Sequence, residues 1–232
     1  MDIGRSLWNA QQSHLREILL KPDRFDEAIK LCLDQHAMVH TSDMSGTNGM
    51  TFEDELWKDL DETTFRTAVG VKGRTIAYGI WHSTRIEDIT MNILVAGNNQ
   101  VIDSDNWTAK INSSIYDTGN AMNAGEIQKF SSNISMQELR KYRIAVGRRT
   151  REIIQGFKPT DLKKKFDDIR LEKIFDIGAV SKDAAASWLV DFWGKKNVAG
   201  ILLMPVTRHH VVHINESLTA KSKTDSKQRH LY

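Results

Sequence analysis

The sequence predicts an all-α protein. Three observations carry that expectation: apolar residues recur at helical spacing along most of the chain, strand-like alternation is almost missing, and only three prolines interrupt 232 residues. Hydrophobic residues make up 40% and charged residues 27%, the balance of a folded chain long enough to bury a sizeable core. Residues 1–232 read as one domain, with a polar, aperiodic tail from Lys221 to Tyr232 expected to fray.

The elements follow in order. From Arg24 to Thr41, the positions Phe25, Ala28, Ile29, Cys32, Leu33, His36 and Val39 mark a long helix. After a polar connection over Ser42–Gly49, Thr51 ahead of Phe52-Glu53-Asp54 is a threonine cap with an acidic first turn, opening a short helix through Leu60. A second stripe, Ile76, Ile80, Ile86, Ile89 and Ile93, runs between Gly73 and Ala96, and His82 falls on its inward face. Residues 97–135 are rich in Asn, Ser and Gly and too long for a plain loop. Irregular helix is expected there, with Trp107 or Ile115 forming a flap over a site. Ser135 with Glu138 signals the start of a helix that carries Leu139, Tyr142, Val146, Ile153 and Ile154 and ends at Gly156. A charged helix over Pro159–Phe175 and an amphipathic one over Ser181–Trp193 come next. Asn197 caps a last helix to about Thr219, kinked where Pro205 removes a backbone N–H.

Charge and composition exclude several functions. With 32 basic and 30 acidic residues, the net charge of +2 provides no field for nucleic acid or an anionic membrane. No run approaches the roughly 18 apolar residues of a membrane span, and the start lacks the pattern of a signal peptide. Cys32 is the single cysteine, so no intramolecular disulfide forms and no thiolate zinc site is available, in keeping with a cytoplasmic protein.

The histidines carry the functional signal. His209 and His213 are four apart, one above the other on a helix face, a spacing that lets two imidazoles hold one metal ion. His82, on a separate inward-facing stripe, is the candidate third ligand, and three neutral imidazoles leave coordination positions open. His210 lies about 100° round the helix from His209, so the two do not face one ion equally. Cys32, His36 and His40 form a second line, but Cys32 and His40 are about 12 Å apart along the axis and cannot share an ion. His36 and His40 are expected either to line the same cavity or to take ordinary core roles. Glu216, three residues after His213, and Glu87, five after His82, are candidate outer bases, with plain solvation as the alternative. Arg85 either binds a substrate carboxylate or salt-bridges Glu87 or Asp88. Trp81, Trp188 and Trp193 are expected in the core. Di-iron Glu-x-x-His pairs and the His-Glu-x-x-His motif are missing from the sequence.

The runs Gly79-Ile80-Trp81-His82-Ser83-Thr84-Arg85-Ile86-Glu87-Asp88 and Met204-Pro205-Val206-Thr207-Arg208-His209-His210-Val211-Val212-His213 resemble the two metal-binding helices of the DinB-like superfamily of metalloenzymes. The similarity extends from about Phe25 to Thr219. It implies a four-helix bundle with an unusual connection between its helix pairs, here with additional short helices, and a metal triad of His82, His209 and His213. It also implies zinc or nickel, and a transfer or isomerisation reaction using a low-molecular-weight thiol such as bacillithiol, mycothiol or glutathione. The 97–135 insertion and the helices after Pro159 depart from the family pattern, which bears on the substrate.

The leading expectation is a metal-dependent enzyme, a thiol S-transferase with a metal-dependent hydrolase as its nearest variant. The expectation from another class is a helical binding or stress-response module whose metal is structural or absent. An open fourth coordination position favours the enzyme, a closed one the module. The expected partner is a small molecule, with no nucleic acid or membrane partner, and a homodimer is compatible with this reading.

Overall fold

The computed structural model describes residues 3–68 and 73–229. Helices account for most of them, and no strand occurs among the described residues; one isolated bridge joins Lys165 to Asn197. Five long helices matter for the site: α1 (Ile3–Ile18), α2 (Phe25–Met38), α3 (Ile76–Asp88), α4 (Met136–Gln155) and α5 (His209–Arg229). No helix among the described residues is long and apolar enough to cross a membrane.

Helix α3 is the axis of the molecule. All thirteen of its residues are buried, with α4 and α5 packed on it, α2 on α4, and α1 on α2. The Thr75 hydroxyl accepts from the Tyr78 N–H at 3.0 Å and so starts the helix. At its far end the chain widens into a π-helical turn over Ile89–Ala96 and stops at Gly97, whose φ of 69° suits a residue without a side chain. A Cβ at Gly97 would meet the Arg170 guanidinium, which donates to the carbonyls of Leu94 at 2.6 Å and Val95 at 3.2 Å. Apolar contacts divide around α3. Ile86, Ile89 and Ile93 join Leu15, Trp193 and Ile201, whereas Ile76, Ile80 and Trp81 join Phe130, Tyr142 and Val146.

The caps expected at Thr51, Ser135 and Asn197 are all formed. Thr51 and Asp54 make a reciprocal capping box, and the helix they open runs over Phe52–Trp57, stopping short of Leu60. Ser135 accepts from the Glu138 N–H at 3.3 Å and Asn197 from Gly200 at 2.9 Å. Asn197 opens a short helix, Val198–Leu203, followed by a π-helical segment over Met204–Arg208 that contains Pro205. The expected kink is thus a change of helix type.

Several expectations need correction. Helix α1 carries no part of the expected organisation, yet it buries Trp8, Leu15 and Ile18. The charged segment after Pro159 is broken into a 3₁₀ turn over Asp161–Lys163 and a helix over Asp168–Asp176, because Asp167 caps a new start by accepting from the Arg170 N–H at 2.8 Å. Lys221 to Arg229 do not fray. Helix α5 continues to Arg229, with Lys221 donating to the Leu56 carbonyl at 3.2 Å and Thr224 buried. Residues 230–232 of the expected tail lie outside the described residues. Trp188 is 50% exposed, while Trp81 and Trp193 are buried as expected.

Candidate metal centre

His82 on α3 meets His209 and His213 on α5. Their ring centroids are 4.6–5.1 Å apart, and one nitrogen from each lies within 4.8 Å of the others. His209 Nε2 and His213 Nε2 are separated by 3.2 Å, near the roughly 3.3 Å edge of a tetrahedron with metal–nitrogen bonds of about 2.0–2.1 Å. His82 and His213 are buried and His209 is half-buried, so the cluster sits just beneath the surface.

The outer nitrogens set the tautomers. His82 Nδ1 lies 2.8 Å from the Thr118 carbonyl, which only accepts, so Nδ1 carries the proton and Nε2 keeps its lone pair. His213 Nδ1 lies 3.1 Å from Glu216 Oε2, with the same consequence. Metal-ligating histidines need this arrangement, one nitrogen anchored and the other bare. His209 Nδ1 is buried without a partner. Burial, with His213 adding to it, pushes His82 down to about 3, and burial likewise lowers His209 far below its ordinary value. Both are neutral imidazoles at neutral pH, the form that binds a metal. Glu216 lies lower than an ordinary carboxyl because His213 donates to it, and Arg74 adds contacts at 3.3 and 3.4 Å.

The insertion reaches the site through its backbone. Consecutive carbonyls of Tyr116, Asp117, Thr118 and Gly119 accept from Arg85 at 2.9 Å, Trp81 at 3.0 Å, His82 at 2.8 Å and Tyr78 at 3.3 Å. This strap runs antiparallel to α3 and holds four side chains in place. The Tyr78 ring stacks on His82 at 5.5 Å. Trp107 instead packs 5.7 Å from Tyr142, and Ile115 joins the same apolar cluster. The expectation that either covers the histidines is replaced by the Thr118 contact.

Arg85 is not a pocket residue. It is fully buried, donating to Asp88 at 2.9 Å, Tyr142 at 2.9 Å and Gln100 at 2.6 Å besides Tyr116. Its pairing with Asp88 is the salt-bridge alternative, placed in the interior because Asp88 also accepts the backbone N–H groups of Val101 and Ile102.

His36 and His40 build a second cluster away from the triad, around Glu87. His36 Nε2 is 2.8 Å from Glu87 Oε1, and His40 Nε2 is 3.0 Å from Oε2. His210 Nε2 approaches Oε2 at 2.8 Å without hydrogen-bond alignment. Arg143 spans the cluster. It donates to Glu53 at 2.7 Å, Ser83 at 3.2 Å, Thr84 at 3.0 Å, the Val39 carbonyl at 2.8 Å and His210 Nδ1 at 3.2 Å. Sequence reasoning missed Glu53, Arg143 and the inward role of Glu87. Position 87 is five residues from His82, about 140° round the helix, and only burial on every side of α3 makes that face interior.

No protein-family model matches this chain, and no curated protein matches it.

Proposed function

We propose that the chain is a metal-dependent enzyme of the DinB-like type, with His82, His209 and His213 as ligands to zinc or nickel. The observation that carries this reading is the convergence of three imidazoles, two of them anchored through Nδ1 to Thr118 and Glu216. Among the described residues the set stops at three protein ligands, which leaves a position for water or substrate, as catalytic sites require. The contacts of α3 with α4 and α5, and of α2 with α4, support a four-helix bundle with α1 and the short helices added outside.

A divalent cation held there would lower the pKa of a bound thiol or water and supply a nucleophile at neutral pH. The favoured reaction is S-transfer, in which a low-molecular-weight thiol loses its proton, its sulfur bonds to the electrophile, and the leaving group departs. The chain's own contributions are to fix the imidazoles, to keep His82 and His209 neutral by burial, and to hold the outer edge with Glu216 and Arg74.

The test is metal content of protein purified without chelator or nickel affinity resin, for wild type and the single variants His82→Ala and His213→Ala. Each variant is expected to lose one equivalent while keeping its helical circular dichroism. Unchanged metal content in both variants would defeat the reading. Incubation with glutathione and a chlorinated aromatic electrophile then separates outcomes: a thioether product supports S-transfer, and a product hydrolysed without sulfur points to the hydrolase.

A further inference from the structure

The second cluster has the composition of a metal site in its own right. His36, His40, Glu87 and His210 are each 1% exposed or less, and three Nε2 atoms lie 2.8–3.0 Å from the two oxygens of one carboxylate. His36, His40 and Glu87 each offer a ligand atom within 4.8 Å of the others. An N₂O donor set of this kind suits a borderline divalent cation of the zinc class.

Hydrogen bonding alone leaves the cluster unsatisfied. If Nε2 of His36 and of His40 each donates to Glu87, their Nδ1 atoms are bare, and both are buried without a partner. His210 accepts from Arg143 at Nδ1, so its proton is on Nε2, which finds no aligned acceptor. Glu53 Oε2 is also unpartnered, 4.0 Å from His40 Nδ1. Glu53 and Glu87 are both buried, and Arg143 pairs with Glu53 at 2.7 Å.

We propose that His36, His40 and Glu87 form a second divalent-cation site beneath the His82 triad, with His210 held against it by Arg143. A cation on the Nε2 atoms moves the proton of His40 to Nδ1, where it faces the orphaned Glu53 Oε2, as His213 Nδ1 faces Glu216 in the first site. The two nitrogen–oxygen distances, 2.8 and 3.0 Å, need to lengthen by only a few tenths of an ångström to reach the roughly 3.3 Å edge of a tetrahedral site. All three ligands are 1% exposed or less, so no reactant reaches the ion and the site takes up its metal as the chain folds. This inference does not depend on the first site being catalytic.

The experiment is refolding of the full-length chain from denaturant with excess Zn(II) or Co(II), removal of free metal, and measurement of metal per chain. Wild type is expected to hold two equivalents, His82→Ala one, and His40→Gln one. The equivalent left in His82→Ala should resist chelator in the native state, and its Co(II) form should show the intense visible absorption of a tetrahedral site. One equivalent in wild type and none in His82→Ala would overturn the second site and leave the first intact. One equivalent in both would defeat the first site and keep the second. The wild-type and His82→Ala values decide the matter even if His40→Gln does not fold.

Discussion

The two histidine clusters share one stretch of α5, where His209 turns to one and His210 to the other, with ring centroids 6.4 Å apart. Their surroundings differ in kind. The His82 cluster borders the surface through half-buried His209 and leans on Glu216, whose side chain is 49% exposed. The His36–His40 cluster closes round the Glu87 carboxylate, which is wholly out of water. The difference teaches that imidazoles on neighbouring positions of one helix can be placed in two unlike settings, one bordering solvent and one sealed round a carboxylate.

The largest expected contrast is in stability. Glu87→Ala should cost about 3–5 kcal/mol because it strands buried donors, whereas Glu216→Ala at the rim should cost less than about 1 kcal/mol. Urea unfolding of the two variants measures both, and similar losses would erase the distinction. Next is Arg85→Lys. A lysine cannot reproduce its fork of bonds to Asp88, Tyr142, Gln100 and Tyr116, so a loss of about 2–3 kcal/mol is expected with metal content unchanged. A drop in bound metal would instead return Arg85 to the site.

A smaller effect sharpens the open cluster. Glu216→Ala should weaken metal binding by about 10- to 100-fold through the freed His213 ring, readable by competition with a chromogenic chelator. Equal affinity in the variant would remove Glu216 from the site. The smallest change probes how dry the closed cluster is. Cys32 lies one turn before His36, and burial pushes its thiol up to about 12, so it stays protonated at pH 8. Native protein should leave Ellman's reagent unreacted at that pH and titrate one thiol after denaturation. Rapid labelling of the native chain would mean that water reaches the α2 face of the deep cluster.

Much of this arrangement was legible in residue spacing. The helical class, the caps at Thr51, Ser135 and Asn197, and the pairing of His209 with His213 follow from local rules that act within one or two turns, whereas the meeting of His82 with that pair is a tertiary contact between α3 and α5. The second cluster was not, because its parts come from α2, α3 and α5, and a helix buried on every side shows no polar face to mark which charged residue points inward. Arg85 was ambiguous for the same reason. Helix α1 escaped notice because polar residues such as Gln11, Gln12 and His14 interrupt its apolar positions. Gln12 proves to be buried, donating to Thr207 at 2.8 Å and to the Leu203 carbonyl at 3.0 Å.

Those two bonds end at the π-helical segment Met204–Arg208, where the His209 N–H reaches back to the Met204 carbonyl and Thr207 Oγ1 donates to the Leu202 carbonyl at 2.8 Å. A π turn stores one residue more than an α turn. Deleting a single residue there would let the α-helix run straight through and turn everything downstream by about 100°. His210 would then occupy the place of His209, and Ile214 that of His213. The doublet His209-His210 therefore works like a vernier scale, one notch deciding which imidazole addresses which cluster, and the phase is kept by a bulge that contributes no ligand itself.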